Sequence, residues 1–62
     1  MVIYIGEEER IRIQERDDND KVICVYKDDI LLKEFIDIKQ AVKFGEEENE
    51  KIKLENIKLD LV

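Results

Sequence analysis

Sixty-two residues suffice for one small domain, and 17 acidic against 11 basic residues leave it with a formal net charge of −6. The chain has no Ser, Thr, His, Pro or Trp and a single Cys. Serine and threonine nucleophiles, imidazole bases, Cys-His dyads, histidine-containing metal sites and an intramolecular disulfide are thereby excluded. A domain of this size buries only about 60% of the surface its unfolded chain exposes, so every apolar face has to be used. No secretory apolar segment and no run of about 18 apolar residues appears, which points to a cytoplasmic protein without a membrane span. An apolar fraction of 44% with strand periodicity argues against disorder despite 45% charged residues.

Val2 to Ile5 is a short β-branched and aromatic run ended by Gly6, and reads as a first strand. Arg10 to Arg16 alternates: Ile11 and Ile13 lie on one face, and Arg10, Arg12, Gln14 and Arg16 on the other. That is a half-buried strand with a basic outer face. Asp17, Asp18, Asn19 and Asp20 form a turn, because Asp and Asn side chains hydrogen-bond nearby backbone. Lys21 to Lys27 is apolar on both faces and belongs in the sheet centre with something packed on each side. Asp28 and Asp29 turn the chain into a fourth strand, Ile30 to Phe35.

Asp37 is placed to cap a short helix over about 37–44. Ile38, Ala41 and Val42 share its apolar face, and Gly45 stands where a C-terminal cap glycine belongs. Glu46 to Glu50 reads as an acidic loop. The tail Lys51 to Val62 alternates in two phases, Ile52 and Leu54, then Ile57, Leu59 and Leu61. This predicts either one strand with a bulge at Glu55–Asn56 or two strands joined by a tight turn there, the bulge being favoured for want of a turn glycine. The predicted fold is α+β, a single domain over 1–62. It has an antiparallel meander of four or five strands with one short helix on one face.

Twelve of the 17 acids fall in four connecting segments: Glu7, Glu8 and Glu9; Asp17, Asp18 and Asp20; Asp28 and Asp29; and Glu46, Glu47, Glu48 and Glu50. In a meander whose helix runs back along the sheet, the first, third and fourth of these share one end. Nine carboxylates (Glu7, Glu8, Glu9, Asp28, Asp29, Glu46, Glu47, Glu48 and Glu50) would then form an acidic rim. Such a rim serves solubility, or it docks on a positively charged partner, such as a protein whose Lys/Arg groove normally meets nucleic-acid phosphates. A divalent-cation site is a further reading. However, Asp17-Asp18-Asn19-Asp20-Lys21-Val22 has Lys and Val where a calcium loop needs an oxygen ligand and Gly, so no metal or other cofactor is assigned.

Arg10, Arg12 and Arg16 form an alternative basic face. Pairing with acids across the strands, or plain solvation, competes there with phosphate contact. Free nucleic acid is a poor partner for a chain of pI near 4.6. No catalytic residues are assigned, because charged turns do not raise carboxylate pKa values as burial does and so small a domain has little room for a water-excluding cleft. Cys24, in the most apolar strand, reads as a small core residue. Tyr4 and Tyr26 read as core aromatics with wet hydroxyls; an exposed one becomes an interface anchor.

Val25-Tyr26-Lys27-Asp28-Asp29-Ile30-Leu31-Leu32-Lys33-Glu34-Phe35, continuing through Asp37-Ile38-Lys39-Gln40-Ala41-Val42-Lys43-Phe44-Gly45, makes a strand-turn-strand-helix unit covering about a third of the chain. Its Phe before the cap, its cap-Ile-x-x-Ala helix start and its closing Gly resemble the small nuclease-associated modular DNA-binding motif found beside homing endonuclease domains. That resemblance implies a DNA-associated accessory module of phage or mobile-element origin. The residues and the resemblance together point to a non-enzymatic protein-binding module, such as a phage inhibitor that occludes the basic surface of a host defence nuclease. A DNA-associated module and a structural subunit of a larger assembly are the alternatives. A second sheet face with too little helix to cover it predicts a homodimer, through that face or through edge pairing of the tail.

Overall fold

A computed structural model describes the backbone of residues 1–60 and the side chains of residues 1–55. Four strands, β1 (Val2–Ile5), β2 (Ile11–Arg16), β3 (Asn19–Lys27) and β4 (Ile30–Phe35), are followed by one helix, α1 (Ile38–Asp60). The sheet is an antiparallel meander in the order β1-β2-β3-β4. The predicted α+β architecture is the observed one.

The alternation in β2 sets the register. Ile13 stands between Ile3 and Val25, and Ile11 between Ile5 and Lys27. Ile11, Ile13, Ile23 and Val25 are buried under the helix with Ala41 and Ile52, and Ile3, Ile5, Phe35, Val42 and Phe44 pack around them. The tight β3–β4 connection places Asp28 and Asp29 both at positive φ, 51° and 65°. This is the left-handed pair that matches hairpin twist and that Asp tolerates better than most residues. Register slips at Glu15/Arg16 and at Val25/Tyr26.

The helix starts where predicted, the amide of Lys39 donating to Asp37 Oδ1 at 2.9 Å. It does not stop where predicted. Gly45, expected as a C-terminal cap, lies inside a 23-residue helix. A Cβ there would stand 2.9 Å from Ile5 Cδ1, 3.1 Å from Ile13 Cδ1 and 3.3 Å from Ile11 Cγ2. The glycine is used for close approach of helix to sheet, and its cost in helix propensity is offset by that packing. Ala41, Gly45, Glu48 and Ile52, spaced four, three and four apart, continue one helical line through the segment expected as an acidic loop.

The tail is corrected likewise. Residues 51–60 are helical, so neither a bulge nor a turn forms at Glu55–Asn56, and among the described residues there is no fifth strand and the tail offers no edge for pairing. Leu61 and Val62 lie outside the described residues. Ion pairs one turn apart, Lys51–Glu48 at 3.0 Å and Lys53–Glu50 at 3.3 Å, support the extended helix. It spans more length than the sheet, and the molecule measures 44 × 18 × 16 Å.

Candidate interaction surface

The meander carries the β1–β2 turn and the Asp28–Asp29 turn to one end of the sheet and the Asp17–Asp18 turn to the other. At the first end Asp28 N donates to Arg10 O at 3.0 Å, tying the two turns together. The helix, starting at the opposite end after β4, reaches this end at Asn49, whose side chain fills the space beside Gly6. Glu7, Glu8, Glu9, Asp28 and Asp29 are thus grouped at the sheet end, with Glu46, Glu47, Glu48 and Glu50 on the helix that passes it. The last four are helical residues rather than members of a loop, so they face different directions. Glu48 turns inward, with only 14% of its side chain exposed, while Glu46, Glu47 and Glu50 line a shallow depression with Lys43, Asn49 and Lys53.

The nine carboxylates are electrostatically unequal. Arg10 holds Asp28 through two parallel hydrogen bonds, Nε to Oδ1 at 2.9 Å and Nη2 to Oδ2 at 2.7 Å. Those bonds keep the Asp28 carboxyl below the usual aspartate range and raise the Arg10 pKa. Arg12 Nη1 meets Asp29 at 2.7 Å. Glu48 and Glu50 have Lys51 and Lys53. Glu7, Glu8, Glu9, Glu46 and Glu47 make no ion pair among the described residues.

The basic face is closed in the same way. Arg16 pairs with Asp18 through Nε at 2.7 Å and with Glu34 through Nη1 at 3.2 Å. Arg12 lies over the Tyr26 ring, its guanidinium carbon 4.5 Å from the centroid, with Nε enclosed and unpartnered. All three arginines are therefore engaged by carboxylates of their own chain, the cross-strand pairing that competed with phosphate contact in the sequence.

The sheet face away from the helix departs from a two-sided core. Cys24 is buried, its thiol donating to Glu34 Oε2 at 3.7 Å, but the cover comes from neighbouring side chains on the same face rather than from a second layer. Burial pushes the Cys24 thiol pKa up, as it does the Tyr26 phenol. A buried thiol with a raised pKa is a poor nucleophile. Tyr4 is 53% exposed and so is not a core aromatic. Among the described residues no group of three or more acids and cysteine is placed to hold a metal ion, and no helix is long and apolar enough to cross a membrane. No protein family matches the chain, and neither does any curated protein or solved structure.

Proposed function

We propose that the protein is a non-enzymatic binding module that presents its acidic end to a basic protein surface of the kind that ordinarily meets nucleic-acid phosphates, a nuclease channel being the type of partner. The observation that carries this reading is the uneven pairing of charge. Arg10, Arg12 and Arg16 are each engaged by an intramolecular carboxylate, whereas among the described residues Glu7, Glu8 and Glu9 on the β1–β2 turn and Glu46 and Glu47 on the helix make no ion pair; Asp17 and Asp20, at the opposite end of the sheet, make none either. Unpaired carboxylates on a turn and a helix steer a cationic partner from a distance and mimic the field of a phosphate chain. Phosphate contact by the arginines, as a DNA-associated module requires, would first have to displace Asp28, Asp29 or Glu34.

Glu48 is turned inward and paired, so the informative variant leaves it alone. Glu7→Lys/Glu46→Lys/Glu47→Lys reverses three unpaired charges without touching the core. Captured from nuclease-treated host lysate, the partner is expected to bind wild type in a salt-sensitive manner, to be displaced by added nucleic acid, and to be lost by the triple variant. A partner held equally by both proteins at all salt concentrations sinks the reading. A low-salt electrophoretic shift of free DNA by the wild type transfers support to the DNA-associated alternative.

A further inference from the structure

The four-stranded sheet has two edges, and they are built differently. β1 is four residues long and ends at Gly6. β4 is six residues long, and five of the six are exposed. It begins with Ile30, Leu31 and Leu32, which are 67%, 48% and 39% exposed, and is followed by Ile36 at 87%. A long apolar edge with unpaired backbone groups is a template for another strand, and proteins that stay monomeric usually guard such an edge with outward charges. The charges on β4 do not stand guard. Glu34 is drawn onto the sheet face by Arg16 and accepts from the Cys24 thiol. Lys33 folds over the Phe35 and Phe44 rings, its Nζ 5.3 and 5.7 Å from their centroids.

We propose that a second copy of this chain pairs its own β4 antiparallel along this edge, joining two four-stranded sheets into one of eight strands. Charge selects the occupant. The strand carries one Lys and one Glu, so it is a neutral stretch on a molecule of charge −6, and it is where two like-charged copies meet with least repulsion. A basic partner is drawn instead to the acidic end. A two-fold axis perpendicular to the sheet at Leu31 sets Ile30, Leu31 and Leu32 of each strand against Leu32, Leu31 and Ile30 of the other, with Leu32 the residue that the β3–β4 register shift leaves unpaired, and keeps the two Lys33 side chains off the axis. The strand is roughly 20 Å long, so the contact falls below the about 800 Å² per partner of a standard interface; the dimer is then weak and concentration-dependent.

Sedimentation equilibrium of the full chain from about 10 to about 500 μM is the test, with an expected dissociation constant in the micromolar range. Leu32→Lys and Ile30→Lys are each expected to weaken association at least about tenfold, which is about 1.4 kcal/mol. Ile30 is largely exposed, so its variant keeps the fold. Tyr4→Lys, on the far edge, is expected to leave association unchanged. Amide exchange should slow in β4, and not in β1, as concentration rises. A chain that is monomeric throughout overturns the proposal, as does association lost in Tyr4→Lys but kept in both β4 variants, the outcome expected if the open sheet faces stack instead.

Discussion

At the scale of the residue, Gly45 shows how one side chain can be legible and still misread. Glycine after a short apolar helical period is a common C-terminal cap signal, and nothing in residues 37–45 alone distinguishes that use from close packing. The three isoleucines that explain Gly45 come from β1 and β2, more than thirty residues away in sequence. Gly45→Ala therefore sets two effects against each other. Intrinsic helix propensity favours Ala by up to about 1 kcal/mol, whereas a methyl inserted among Ile5, Ile11 and Ile13 costs about 1–3 kcal/mol. The expected net result, read by urea unfolding, is a loss of about 1 kcal/mol despite the better helix former.

Asp28 carries a second residue-scale expectation. Its folded pKa lies below the ordinary aspartate value because Arg10 hydrogen-bonds the charged form. The stabilisation is thus present above the unfolded pKa of about 3.9 and is lost as pH falls through the folded value. Asp28→Asn should be the less stable protein at neutral pH and should converge with wild type in the acid limb, below about pH 4. A constant difference between the two at every pH would mean the residue acts through turn geometry alone.

At the scale of the element, the strands were readable because period-2 alternation in β2 and the Asp-rich turns act within a few residues. The Asp37 cap was readable for the same reason. The second half of α1 was not. Ile52 and Leu54, then Ile57, Leu59 and Leu61, alternate in short stretches as a strand would, while the helical line Ala41, Gly45, Glu48 and Ile52 is interrupted by a glycine and a carboxylate. What tips the balance is continuity: a helix already capped and packed propagates at little cost through a Glu/Lys/Leu-rich segment, whereas a fifth strand would need fresh nucleation. Ile52, buried against the sheet, anchors this extension. Ile52→Ala is expected to cost about 2–3 kcal/mol and to lower helical circular dichroism. If the segment owed nothing to the sheet, the signal would be unchanged.

At the scale of the whole molecule, the meander, with the β1–β2 and β3–β4 turns at one end, followed from strand count and turn position alone; the fourth acidic segment, 46–50, is helix and not the loop expected. Which carboxylates remain unpaired did not follow, because pairing depends on side chains meeting across strands (Arg10 with Asp28, Arg12 with Asp29) and along helical turns in a segment whose composition resembles a loop. The unguarded edge was equally invisible. Lys33 and Glu34 look like ordinary protecting charges until the structure shows both folded back on their own molecule.

The direction of α1 along a long, narrow body, towards the end that carries the Glu7–Glu9 and Asp28–Asp29 turns, has an electrical consequence. The carboxyl-terminal pole of α1 adds its partial negative charge towards that same end. The helix thus contributes a dipole along the long axis, and a single copy is expected to orient in an applied field with that end towards a cationic target before contact. Two copies related by an axis perpendicular to the sheet would have antiparallel in-plane moments that cancel. Electric birefringence should then fall as concentration rises, and the paired form would expose two acidic poles facing opposite ways, able to bridge two targets where one copy caps a single one.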